Sequence, residues 1–181
     1  MNIICRTERM DLVQLDTSSA DLVLDYVVRN RQFLAPWEPE RNEEFYTLAH
    51  QEALLQQEME KMKDGHMFKV WMLQEGRVIG SAALSNMVRG AFQSCHLGYK
   101  MDHEQLNKGL MTEALSALVA YAFEKLKLHR IEANIMPRNI ASLQVVKKLG
   151  FYDEGLALKY LKIHGVWEDH IHMVLRNEAM E

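Results

Sequence analysis

From Arg6 to Leu15 hydrophobic and polar positions alternate, the pattern of a half-buried β-strand. Ser18-Ser19-Ala20-Asp21 then offers a capping box, and Leu22, Leu24, Tyr26, Val27 and Val28 follow at roughly helical spacing. A helix is therefore expected here, ending before Pro36. Phe33-Leu34-Ala35-Pro36-Trp37-Glu38-Pro39 breaks both periods. Its two prolines fix their own φ and restrict the residues before them, which predicts an extended, stiff loop holding an aromatic ring and a carboxylate in place. Thr47 can cap a second helix with Leu48, Leu55, Met59 and Met62 on one face, stopped by Gly65.

Met67 to Gln74, a turn at Glu75-Gly76, and Arg77 to Leu84 read as a β-hairpin, and after a polar loop at Asn86 to Gly90 a further strand runs from Phe92 to Met101. Asn107-Lys108-Gly109-Leu110-Met111-Thr112-Glu113 then leads abruptly into a helix with Leu115, Leu118, Val119, Ala122 and Leu126 facing the core. A strand from His129 to Met136, a helix begun by Asn139 and ended by Gly150, and closing strands over Phe151 to Ile163 and Trp167 to Leu175 complete the pattern. Helices and strands alternate without strict βαβ regularity, which implies a mixed α/β sheet.

Composition narrows the class. The 181 residues are 48% hydrophobic and 25% charged, and no linker or repeat divides them, so a single domain over residues 1–181 with its own hydrophobic core is expected. No run approaches the ~18 consecutive apolar residues of a membrane span. The first residues lack the basic, apolar, small-residue order of a signal, so a cytoplasmic protein is expected. Cys5 and Cys95 have neither disulfide nor metal-ligand spacing and read as reduced, packed thiols. With a net charge of −4 and no basic run, direct nucleic-acid binding is not expected. His170 and His172 share a strand face, but no third ligand stands at a telling interval, so no metal is expected.

The informative junction is the turn between Met101 and Thr112. A helix start leaves backbone N–H groups unpaired at the positive end of its dipole. Gly109 lets a phosphate approach that backbone closely, and Lys108 adds positive charge. The spacing is neither that of a Walker loop nor that of a dinucleotide fingerprint, and an ordinary tight turn with a helper glycine is the alternative.

Six segments then occur in order: Asn30 to Pro39, Ser85 to Gly90, Leu97-Gly98-Tyr99, Gly109 to Ala114, His129-Arg130-Ile131, and Tyr160-Leu161 with Gly165 to His170. Together with Arg138-Asn139-Ile140-Ala141-Ser142 and Leu149-Gly150-Phe151, they make the chain resemble the GNAT superfamily of acetyl-CoA-dependent N-acetyltransferases. Within it the likeness is to the Rim-type ribosomal-protein-alanine enzymes, of the RimJ kind, over about Arg6 to Leu175. The resemblance implies a central twisted, mostly antiparallel sheet, splayed between its fourth and fifth strands (92 to 101 and 129 to 136) and flanked by helices. The pantetheine arm of acetyl-CoA would lie in the gap. Coenzyme contacts would come from Tyr99, Lys100 and Met101, from Asn107, Lys108, Gly109, Leu110, Met111 and Thr112, and from Asn139 and Ser142. The family loop reads Gln/Arg-x-x-Gly-x-Gly/Ala. Here Leu106 takes the first place, with Gln105 one residue early, and Met111 takes the last, so Met111 must point away from the phosphates.

The implied acceptor is a protein N-terminus, of a ribosomal protein, with the chain acting as monomer or homodimer. An α-amine, with a reference pKa of about 7.7 to 8.0 against about 10.4 for lysine, is the easier group to deprotonate. Direct attack on the thioester requires an oxyanion donor, placed by the resemblance at a main-chain N–H around Gly98 to Lys100, and a proton acceptor. His96, two residues before Gly98, and Glu38 on the proline loop are the candidates; Glu38 with Trp37 alternatively holds the acceptor. Many relatives place an acid tyrosine where this chain has Val146, which leaves Ser142 to protonate the thiolate. A small amine as acceptor and a non-catalytic coenzyme A-binding module are the other readings.

Overall fold

The computed structural model describes residues 1–181. Its frame is one eight-stranded sheet with strand order β1-β2-β3-β4-β5-β6-β8-β7, built from β1 (Asn2–Arg6), β2 (Asp11–Gln14), β3 (Phe68–Gln74), β4 (Arg77–Val88), β5 (Ser94–Met101), β6 (Arg130–Ile135), β7 (Tyr152–Ile163) and β8 (Val166–Arg176). All neighbours pair antiparallel except β5 and β6. The helices are α1 (Ala20–Arg29), the single turn α2 (Arg31–Leu34), α3 (Leu48–Lys63), α4 (Leu110–Glu124) and α5 (Ile140–Lys148).

Hydrophobic alternation places one apolar row on each sheet face. Cys95 and Leu97 of β5 and Ile131, Ala133 and Ile135 of β6 pack with Leu115 and Leu118 of α4 and Leu143 and Val146 of α5. On the other face a smaller cluster joins Val13 and Trp71 to Val23, Tyr26 and Val27 of α1 and Leu55 of α3. The second cluster covers only part of its face, and the rest stays open above β4, β5 and β6.

Four expectations change. The alternating run from Arg6 to Leu15 is a hairpin, because the Thr7 N–H and hydroxyl both donate to Met10 O, at 2.9 and 3.0 Å, and turn the chain between β1 and β2. The helix start expected at Ser18-Ser19 is a 3₁₀ turn over Thr17–Ser19 capped by Asp16, which runs into α1. The proline loop is not extended throughout. Ala35–Trp37 forms a 3₁₀ turn, where Pro36 sits in the first turn and needs no N–H; Glu38, ahead of Pro39, is extended at φ −119°, ψ 160°. On α3 the buried positions are Gln51 and Leu55, whereas Leu48 and Met59 are exposed. Gln51 turns inward because its amide donates to Phe45 O at 2.5 Å. The α3 cap at Thr47 and its stop at Gly65, closed by His66 N–H donating to Lys61 O at 2.9 Å, are as expected.

The feature that makes a site is a short rung count. β5 and β6 pair only at Ser94↔Arg130, Cys95↔Ile131 and His96↔Glu132. β5 stays on β4 as far as Met101, and β6 stays on β8 as far as Ile135, so each strand follows its other neighbour and the two part after His96. These are the expected fourth and fifth strands, renumbered here because the first is a hairpin of two.

Candidate active site

The parted strands open a cavity of about 660 Å³. Its walls are the free half of β5, Asn134 and Ile135 of β6, the turn before α4, the start of α5, and the segment from Phe33 to Glu38.

One end is built from backbone. None of the N–H groups of Asn107, Lys108, Gly109, Leu110, Met111 and Thr112 has a hydrogen-bond partner in the chain. The row is presented by left-handed residues, Asn107 at φ +59° and Gly109 at φ +75°, the latter at the cap position of α4. Met111 is buried in the core, so its side chain points away from this row while its N–H stays on it. Lys108 is turned back, its ammonium donating to Glu104 O and Gln105 Oε1, both at 2.9 Å. Two braces absent from the sequence reading hold the turn. Arg9 donates to Lys108 O at 2.6 Å and to Glu113 Oε2 at 2.6 Å. Asp102, 1% exposed, is held by Arg29 at 2.6 Å, and the Arg29 and Glu104 donors keep its carboxyl below the usual range against the opposing effect of burial.

The middle of the cavity is fixed by α5 and β5. Asn139 Oδ1 accepts from Ser142 N–H at 3.2 Å and so caps α5. The Tyr99 hydroxyl donates to Ser142 O at 2.9 Å, tying β5 to α5, and burial pushes its pKa up to about 12. The Ser142 hydroxyl has no partner in the chain and lines the cavity beside Gly98, Tyr99, Lys100 and Met101.

At the far end Glu38 accepts from Lys100 Nζ at 2.6 Å, and Glu38 O accepts from His164 N–H at 3.1 Å, which pins the proline segment to the β7–β8 turn. Trp37 lies under the Arg138 guanidinium, 5.0 Å from ring centroid to Cζ. Lys69 also lines this end; it pairs with Glu58 at 2.5 Å, and burial lowers its pKa. His96 stands at the last rung. Its Nδ1 faces Asn86 Nδ2 at 3.1 Å, its Nε2 faces Glu132 Oε1 at 3.7 Å, and its ring is not part of the cavity wall.

Sequence reasoning missed Lys69, Glu132, Asn134 and the cavity position of His170. A signal existed for two of them: Glu132 and Asn134 alternate with buried Ile131, Ala133 and Ile135, which marks a polar row on the open face of β6. No group of three His, Cys, Asp or Glu side chains is arranged to hold a metal.

The splayed pair and its amide row match an acyl-coenzyme A site, and a model of the acetyltransferase (GNAT) domain matches residues 9–152. The chain belongs to the GNAT N-acetyltransferase family. Among GNAT relatives, the [ribosomal protein uS5]-alanine N-acetyltransferase of Escherichia coli is 40% identical over 167 residues, covering 91% of this chain and 86% of that protein. The crystal structure of the ribosomal-protein-S5-alanine acetyltransferase from Vibrio fischeri superposes with TM-score 0.93 at 36% identity over 98% of each chain. Mycobacterium smegmatis RimJ in complex with CoA-disulfide superposes with TM-score 0.90 at 25% identity, over 94% of this chain and 83% of that one. No helix is long and apolar enough to cross a membrane.

Proposed function

We propose that this enzyme transfers the acetyl group of acetyl-CoA to the N-terminal α-amine of a protein, a ribosomal protein being the acceptor its relatives suggest. The observation that carries this reading is the run of six unpaired N–H groups from Asn107 to Thr112 at one end of a gap between β5 and β6. Such a row, at a helix start, suits a pyrophosphate. The gap beyond it has free strand edges to take amide-bearing pantetheine, and acetyl-CoA would supply the thioester there. A main-chain N–H around Gly98 to Lys100, on the edge of β5 that faces the gap, would stabilise the oxyanion.

In this scheme Glu38 and Trp37 receive the acceptor, with the Glu38 carboxylate shared between Lys100 and the incoming ammonium. The Ser142 hydroxyl returns a proton to the leaving sulfur. Polyamines are disfavoured because Glu38, the one carboxylate lining this cavity, is already paired with the Lys100 ammonium. A second pocket of about 330 Å³ adjoins this end and shares Leu34, Glu38 and Lys100, leaving room for residues that follow an N-terminus. The test is release of coenzyme A thiol from acetyl-CoA with a panel of N-terminal peptides and, in parallel, small primary amines. Turnover on peptides beginning with small residues is expected, and turnover confined to small amines overturns the acceptor assignment.

A further inference from the structure

His170 is a buried histidine on β8 that the scheme above leaves unused. It is 3% exposed, yet its side chain forms part of the cavity wall together with Asn134, Met136 and Ser142. Its Nδ1 lies 3.0 Å from Glu168 O, and a carbonyl oxygen can only accept, so Nδ1 carries the hydrogen. The neutral ring therefore keeps its lone pair on Nε2, which has no hydrogen-bond partner in the chain. Tyr160 braces the ring at 5.7 Å between centroids.

His96 is placed differently. Asn86 Nδ2 donates to its Nδ1, which puts its remaining hydrogen on Nε2, facing the Glu132 carboxylate. Neither nitrogen of His96 offers a lone pair to the cavity. His172 does have a free Nε2, since its Nδ1 donates to Glu132 at 2.8 Å, but its ring packs edge-on to Tyr160 and lies outside the cavity wall.

We propose that His170 is the catalytic base that takes the proton of the acceptor ammonium. This rests on the acetyl-transfer reading. The N–H bond of the ammonium breaks and its proton moves to His170 Nε2. The neutral amine then attacks the thioester carbonyl, the C–N bond forms and the C–S bond breaks. The second amine proton passes to the sulfur by way of Ser142, and His170 releases its proton to solvent. A fixed orienter on one ring nitrogen and a free lone pair on the other is what a general base requires.

The experiment compares steady-state acetylation by wild type, His170→Asn, His170→Ala and His96→Gln. The Asn variant can still donate to Glu168 O, so it removes the acceptor nitrogen without removing the structural bond. kcat should fall about 100-fold or more in both His170 variants, in line with the size of general-base contributions. Acetyl-CoA affinity by calorimetry should stay within about twofold. Added imidazole should restore part of the His170→Ala activity, more so for more basic ring derivatives. A His170→Asn enzyme that binds acetyl-CoA normally and keeps more than a third of wild-type kcat overturns the proposal, as does a greater loss in His96→Gln than in His170→Asn. Wild type inactive on peptides but active on a small amine defeats the acceptor assignment alone, and the same comparison is then decided on that amine. Absence of turnover with every amine defeats both.

Discussion

Single side chains and single backbone torsions decide the coenzyme end. Gly109 holds φ +75°, and a Cβ there would lie 3.4 Å from the Arg9 guanidinium. Gly109→Ala is expected to cost about 1 kcal/mol of folding stability through left-handed strain. By misaligning one charge-assisted bond, worth about 1.5 kcal/mol, it should weaken acetyl-CoA binding about tenfold; urea melts and calorimetry read the two effects separately. Glu132 gives a pH-dependent case. Burial raises its pKa, but hydrogen bonds from Arg130 and His172 outweigh this and hold it below 4.5. A carboxylate with a lowered folded pKa stabilises above its unfolded pKa and loses that contribution as pH falls through the folded value. The stability difference between pH 7 and pH 3 should therefore be smaller in Glu132→Gln than in wild type. An equal change in unfolding free energy between the two pH values in both proteins, read from denaturant melts, would contradict this. Gly109 was legible because glycine at a strand-to-helix turn has few uses. Glu132 showed only as part of a polar row on β6, and the cavity position of His170 did not show at all, because it depends on which strands lie side by side and one sequence does not print strand order.

Helices and strands were legible where punctuation marked both ends: α3 between Thr47 and Gly65, though not its buried face, the β3–β4 hairpin around Glu75-Gly76, and α5 between Asn139 and Gly150. They were misread where a local hydrogen bond overruled the period, as at Thr7, or where a proline suited a tight turn as well as an extended path, as at Pro36. The braces between elements left no sequence signal. Asp102, at the end of β5, is joined to Arg29 at the end of α1, and the neighbouring Asn30 Oδ1 accepts from His103 N–H at 2.9 Å. The proline segment that follows α1 and the turn that follows β5 thus share one anchor. Asp102→Ala removes one of the two carboxylates on the Arg29 guanidinium, leaving Asp25 and Val78 O, and should cost about 2 kcal/mol. The anchor should show itself in a lower melting temperature together with weaker acetyl-CoA binding; an unchanged affinity in a folded variant would sever the two.

At the scale of the molecule, the sheet is two blocks, β1 to β5 and β6 to β8, joined along β5 and β6 by three rungs and bridged by the larger of the two packed cores. Acetyl-CoA at about 100 times its Kd should raise stability by about 2.7 kcal/mol, measured as a shift in the denaturation midpoint. The fold was legible at this scale because six short segments occurred in family order, although no one of them defines a sheet. The open seam has a consequence of its own. Amide hydrogens on the facing edges of Tyr99–Met101 and Ala133–Ile135 lack a strand across from them, so in the free enzyme they should swap rapidly with deuterium despite lying in the middle of the sheet. Loading with the acyl donor should slow that swap on both edges at once, as though a missing strand had been laid in.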